Sequence, residues 1–182
     1  MNLPNIISLC RLCLVPVIIW LILTNNMESA FWITLIAAIS DAIDGIIAKA
    51  FDKVTILGGY LDPIADKSLL VCCFLALGYQ GYFPIWFVIL VVFRDLVIVG
   101  GALSFHLMTH SLEMKPIMLS KINTLTQLIL IVFVLGSEGF GLEVSIYRQF
   151  MIYIVGVTTL LSGSTYILLW CRKAIEIEQN ES

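Results

Sequence analysis

Charge is scarce in this chain. Only 13% of its 182 residues are Asp, Glu, Lys or Arg, against about a quarter in an ordinary soluble domain. That excludes the solvated, charged surface of a soluble globular protein of this size. The net charge of -3 comes largely from one acidic cluster and the tail IEIEQNES, and it gives no reason to expect a nucleic-acid partner. Repeats, low-complexity tracts and long linkers are absent, so residues 1–182 read as a single helical membrane domain. A basic segment before the first apolar run and a small-residue cleavage site are also lacking, which favours a retained helix over a cleaved signal. Histidine is limited to His106 and His110; their spacing suits a metal on a helix, but the glutamate of HExxH is missing, and a loop or interfacial role is the better reading. Cys10 and Cys13 form CxxC without a second ligand pair. They read, with Cys72, Cys73 and Cys171, as packing residues and not as a zinc or redox site.

What the chain has in abundance is apolar surface: 60% of the residues are hydrophobic and the mean hydropathy is +1.01. Six stretches approach the roughly 20 apolar residues needed to cross a bilayer. They run over residues 5–23, 29–48, 63–77, 84–105, 118–136 and 148–170. Lipid leaves a spanning segment no means of satisfying its backbone other than a helix. The expected fold is therefore an all-α integral membrane protein with six transmembrane helices. Asn25, Asn26, Gly78, Gly81, Pro84, Gly136, Gly139 and Gly141 read as markers of the connections. Trp and Tyr near the span ends suit interface anchors.

Six spans put both termini on one side. Arg11, Lys49, Lys53, Lys67, Lys115, Lys121, Arg172 and Lys173 fall on that side, and only Arg148 falls on the other. By the positive-inside rule that side is cytoplasmic. Arg94 lies within a span and does not count. Arg11, in an apolar run, allows a second arrangement in which the first segment lies partly along the interface with its charge snorkelling.

Against this background the stretch DAIDGIIAKAFDKVTILGGYLDPIADK, from Asp41 to Lys67, holds five of the thirteen acidic residues. Asp41 and Asp44 are three apart near the end of the second span; Asp62 and Asp66 are four apart at the start of the third. Each pair shares a helix face, and the link between Lys49 and Leu61 lets the two helix ends return side by side. Asp62 before Pro63 also reads as a helix N-cap, and Asp52 as a loop residue. Asp41 and Asp44 have no such bland role, because a charge inside a membrane helix costs about 2.5 to 3.5 kcal/mol. Four unpaired carboxylates repel one another or take up protons; divalent cations resolve the conflict. All four are hard oxygen donors, which suits Mg²⁺, or Mn²⁺, better than zinc. Two such ions about 3.5 to 4 Å apart are the usual clamp for phosphoryl transfer. Gly45, Ala48, Gly58 and Gly59 leave room there for a phosphate or nucleotide, their bland reading being helix packing or, for Gly59, a turn.

Asp41, Asp44, Gly45, Ala48, Gly58, Asp62 and Asp66 fit the pattern DxxDGxxAR followed by GxxxDxxxD, and the chain thereby resembles the CDP-alcohol phosphatidyltransferases. Lys49 stands where the pattern has arginine; it keeps the charge and loses the planar fork. NLPNIISLCRLCLVP, LDPIADKSLL, FRDLVIVGG and SKINTLTQ further resemble the phosphatidylglycerophosphate and CMP-forming cardiolipin synthase branch. The resemblance implies a six-helix fold with a polar active-site cavity open to the cytoplasm, in a homodimer. It implies that Asp41, Asp44, Asp62 and Asp66 ligate the metal ions and that Asp66 is also the general base. Gly45, Ala48 and Gly58 would border the cytidine nucleotide of CDP-diacylglycerol, with Lys49 beside it. The acceptor would be phosphatidylglycerol or glycerol 3-phosphate. The form SKxNT at Ser120, Lys121, Asn123 and Thr124, in place of GKxKT, leans toward phosphatidylglycerol.

Arg94 is either a tie between helices or a contact for the acceptor phosphate. Adjacency on a helix does not by itself pair it with Asp95. Lys121, near a helix start, is the second candidate for an anionic acceptor. A small cation transporter using intramembrane carboxylates is the main alternative, and an idle scaffold the third. The orientation suits a bacterial inner membrane, or a mitochondrial one if this is a mature chain.

Overall fold

A computed structural model describes the backbone of residues 3–51, 56–109 and 118–181, and the side chains of 9–40, 67–101 and 118–169. It is all-helical: α1 (Leu3–Leu23), α2 (Met27–Phe51), α3 (Ile56–Tyr79), α4 (Ile85–Thr109), α5 (Met118–Gly139) and α6 (Ser145–Glu181). Each expected stretch is a helix, several with longer ends. Among the described residues, α5 and the Ser145–Leu169 part of α6 are long and apolar enough to cross a membrane.

Three helices end in the same way. Asn25, Gly81 and Gly141 have φ of 59°, 84° and 67°, the left-handed conformation that glycine, and less readily asparagine, adopts. After α1, the Asn25 and Asn26 amides donate to the Ile22 and Leu21 carbonyls. The amides of Gly81 and Tyr82 reach Gly78 and Leu77, and those of Gly141 and Leu142 reach Glu138 and Ser137. Each is a Schellman ending that satisfies carbonyls left open by the last turn. Gly78 and Gly139 stand in the last turns of α3 and α5 and Gly136 one turn deeper, all three helical and closely approached by neighbours: a Cβ on Gly136 would meet the Phe31 ring at 3.1 Å, and one on Gly139 the Glu28 backbone at 2.8 Å.

These contacts set the topology. α5 runs antiparallel to α2, because Gly139 faces Glu28 while Gly136 faces Phe31. α3 runs alongside α1 in the same direction, since Gln80 Nε2 donates to the Ile22 and Leu23 carbonyls at 2.9 and 3.1 Å. α4 and α6 are parallel, with Trp86 stacked on Tyr153 and Arg94 against Gly163. The described core contains Ile18, Ile22, Phe74, Leu77, Phe87, Val91, Leu130, Ile131, Val134 and Leu135. Phe74, Phe83 and Phe87 meet edge to face or tilted, with centroids 5.3 to 5.7 Å apart, a geometry worth about 0.5–1.5 kcal/mol per pair beyond area burial.

Two boundaries differ from the sequence reading. α3 starts at Ile56, so Asp62 and Pro63 stand inside the helix and Asp62 is not its N-cap. Ile56, Leu57, Tyr60 and Leu61 continue the helical apolar spacing through Gly58 and Gly59, and α2 extends past Lys49 to Phe51. α6 runs through the acidic tail to Glu181, where Ala, Arg, Lys, Glu and Gln are good helix formers. Arg11 is buried at 5% exposure on a helix that packs against α2 and α3, which removes the snorkelling arrangement. Cys10 and Cys13 face outward on α1, so they do not pack in the core, whereas Cys73 does. His106 and His110, Asp52 and Cys171 lie outside the described side chains.

Candidate functional site

α2 is continuous through Asp41, Asp44, Gly45, Ala48 and Lys49, and α3 through Gly58, Asp62 and Asp66. The 3- and 4-residue spacings therefore place each acidic pair on one helical face. The side chains of all eight residues lie outside those described. The short connection from Phe51 to Ile56 limits the separation of the two helix ends to about 18 Å. Asp66 is followed directly by Lys67, where the described side chains begin.

Lys67 opens a buried charge network. Its Nζ lies 2.5 Å from Asp95 Oδ1, which also accepts from Arg94 at 2.7 Å. The other terminal nitrogen of Arg94 donates to Ser120 Oγ at 2.8 Å and Ser162 Oγ at 2.5 Å. One assembly thus ties α3, α4, α5 and α6. Two cations share one carboxylate oxygen, so the assembly carries one net positive charge with Arg94 and Asp95 3% and 2% exposed. Burial on this scale is tolerated only when the charges are paired. Asp95 Oδ2 and Arg94 Nε have no hydrogen-bond partner among the described residues.

The polar row continues along α5. Asn123 Oδ1 accepts from Thr158 at 2.8 Å and Thr159 at 3.0 Å, and Asn123 and Gln127 are both fully buried. Lys121, one residue from Ser120, is instead exposed.

Of the candidate residues, then, the structure ties Arg94 into the bundle and leaves Lys121 open. Arg94 does pair with Asp95, because the guanidinium folds along α4 to reach the carboxylate that Lys67 also grips. Lys67, Ser162 and Gln127 are the residues that sequence reasoning passed over. Adjacency to Asp66 was the available signal for Lys67. Ser162 and Gln127 carried none, since their neighbours come from remote parts of the chain.

Residues 1–162 match the model of the CDP-alcohol phosphatidyltransferase family. The chain belongs to that family. It is 33% identical to CDP-diacylglycerol–glycerol-3-phosphate 3-phosphatidyltransferase 1, chloroplastic, of Oryza sativa subsp. japonica, over 91% of this chain and 56% of that protein. It is 29% identical to the CMP-forming cardiolipin synthase of Rattus norvegicus, over 97% of this chain and 63% of that protein. With the CDP-diacylglycerol–glycerol-3-phosphate 3-phosphatidyltransferase of Rickettsia typhi it shares 30% identity, over 91% of this chain and 94% of that protein. The chain therefore spans less than two thirds of the rice and rat proteins and nearly all of the Rickettsia protein.

Proposed function

We propose that this chain is a phosphatidyltransferase of phospholipid biosynthesis that moves the phosphatidyl group of CDP-diacylglycerol to an alcohol and releases CMP. The observation that carries the reading is the pair of carboxylate doublets on α2 and α3, in register with the family pattern and adjoining a buried, net cationic assembly. Relatives are named both for glycerol 3-phosphate transfer and for cardiolipin synthesis. Phosphatidylglycerol is favoured here because Asn123 occupies the second lysine position of GKxKT, is buried, and already serves two threonines. Family membership leaves the cation-transporter reading without support.

The residues fit a pair of divalent ions by the chemistry of their donors. Asp41, Asp44, Asp62 and Asp66 supply only hard carboxylate oxygens at helical spacing, as Mg²⁺ or Mn²⁺ requires. Such ions, when bound, neutralise the charge that develops on the phosphates. Asp66 takes the proton of the acceptor hydroxyl. The resulting oxygen bonds to the phosphorus on the diacylglycerol side, the bond from that phosphorus to the bridging oxygen breaks, and CMP leaves with the electron pair. Gly45, Ala48 and Gly58 border the nucleotide, with Lys49 beside it. Lys121 meets an anionic acceptor directly, while Arg94 acts through the positive field of its assembly.

The reaction belongs at a bilayer surface. Trp20, Ile36, Ile89, Phe93, Leu96 and Phe150 turn outward from four helices, a surface suited to acyl chains. Six spans with the carboxylate end and both termini in the cytoplasm accommodate this surface and the distribution of Lys and Arg. The family resemblance extends the reading to a homodimer, and the cytoplasmic orientation suits a bacterial inner membrane, or a mitochondrial one if this is a mature chain.

The test is CMP release by the purified chain with CDP-diacylglycerol and Mg²⁺, comparing phosphatidylglycerol with glycerol 3-phosphate and identifying the lipid product. Metal-dependent release that Asp66→Asn abolishes is the expected result. Ion flux into sealed vesicles without CMP release would overturn the reading.

A further inference from the structure

Two carboxamides are sealed inside the bundle with too few partners. Asn123 and Gln127, both 0% exposed, are one turn apart on α5 and so share a face. Asn123 Oδ1 accepts from Thr159 and shares the Thr158 hydroxyl with the Val155 carbonyl, and its amide nitrogen is left to donate elsewhere. That nitrogen has no hydrogen-bond partner among the described residues, and neither Nε2 nor Oε1 of Gln127 has one. A buried polar group left unpaired costs about 1–3 kcal/mol. Three such atoms within one helical turn mark a place for a polar ligand.

The packing of α5 on α2 fixes where that place is. From the contact of Gly139 with Glu28, a rise of about 1.5 Å per residue brings Gln127 level with Ser40, next to Asp41, and Asn123 level with Asp44. Toward the start of α5, Ser120 bonds the Arg94 assembly. The two amides thus stand at the depth of the first carboxylate pair, with Asn123 within one turn of the Ser120 contact to the buried charge and Gln127 two turns from it.

We infer that Asn123 and Gln127 bind the acceptor's glycerol unit through the hydroxyl next to the attacking one. The inference rests on the transferase reading and assigns it two substrate-orienting residues. Two amide donors and one carbonyl acceptor match a hydroxyl, which both gives and takes a hydrogen bond. They do not match a phosphate, which only accepts and is served by the cations nearby. A vicinal diol beside a phosphoester is common to glycerol 3-phosphate and phosphatidylglycerol. Holding the secondary hydroxyl turns the primary one toward the phosphorus and toward Asp66.

The test pairs each diol acceptor with its deoxy counterpart. CMP release by the full chain is measured with glycerol 3-phosphate against 3-hydroxypropyl phosphate, and with phosphatidylglycerol against phosphatidyl-1,3-propanediol. The wild type should prefer the diol by about tenfold or more in kcat/KM, since a site built to hydrogen-bond a hydroxyl rejects an analogue lacking it. Gln127→Met, which keeps length but removes both polar atoms, should erase the preference and raise the KM for the diol acceptor. The KM for CDP-diacylglycerol should stay constant, and thermal stability should hold or rise. Whichever acceptor pair shows the effect identifies the source of the diol. Gln127→Leu provides the same comparison if the first variant does not fold. A retained preference in a folded variant, or an active wild type that never distinguishes diol from deoxy acceptor, overturns the inference alone and assigns the amides to bound water. A wild type inactive with every acceptor overturns the transferase reading as well.

Discussion

Lys67 Nζ and Asp95 Oδ1 stand 2.5 Å apart and join α3 to α4 one residue beyond Asp66. Asp95 is also the counter-ion of Arg94, so its removal strands two cations at once. Breaking a buried pair in this way costs about 3–5 kcal/mol. Asp95→Ala should therefore lower the thermal unfolding temperature of the purified chain steeply. Lys67→Met leaves the Arg94–Asp95 pair intact and should cost less, about 1.5–3 kcal/mol for one charged hydrogen bond. The reverse order would make Lys67 the principal partner of Asp95.

How much of this was legible depended on the range of the signal. Apolar run lengths located all six helices, and the Asn and Gly that close α1, α3 and α5 were visible as turn residues. Gly78, Gly136 and Gly139 looked the same in sequence, because closeness to another helix leaves no local trace. The start of α3 was misplaced for a related reason: Gly58-Gly59 and Asp62-Pro63 are strong punctuation, yet apolar spacing carries the helix through both. The carboxylate doublets were readable because their spacing is short and charge is otherwise rare. The Arg94 network and the Asn123–Gln127 row join residues dozens of positions apart, and only the packed bundle reveals them.

Gly139 and Gly78 separate two kinds of close approach. A Cβ at Gly139 would meet Glu28 backbone atoms at 2.8 Å, whereas one at Gly78 would meet a terminal methyl of Val88 at 2.7 Å. Backbone cannot rotate away, but a valine side chain can shift. Gly139→Ala should destabilise by about 1–3 kcal/mol through forced separation of α2 and α5, and Gly78→Ala by less. Denaturation midpoints of the two variants decide the point, and equal losses would locate the strain elsewhere.

Tyr82 lies in the turn between α3 and α4, with Arg148 5.8 Å from its ring centroid and Arg148 paired to Glu138 at 2.6 Å. Burial raises the Tyr82 phenol above its usual range, the Glu138 charge adds to the rise, and Arg148 opposes it. The folded phenol thus keeps its proton to a higher pH than the unfolded one. Its stabilisation is full below the unfolded value near 10 and is lost as pH rises through the folded value. Ultraviolet titration, read as the difference from Tyr82→Phe, should show ionisation moving down in Glu138→Gln and further up in Arg148→Met. Opposite movements would remove Glu138 and Arg148 as the charges that tune the phenol.

Lys49 is the one departure from the family pattern among the residues assigned to the nucleotide. An ammonium offers a compact charge on a flexible stem, while a guanidinium presents a rigid fork that grips phosphate with two parallel bonds. The charge is the same, so chemistry at the phosphorus is untouched and only the hold on the donor changes. Lys49→Arg should accordingly lower the KM for CDP-diacylglycerol by about 3- to 10-fold, the effect of about 1 kcal/mol from one improved charged contact. kcat and the acceptor KM should remain unchanged. A fall in kcat would mean that lysine's freedom to move matters during CMP release, and a change confined to the acceptor KM would take Lys49 out of the nucleotide site.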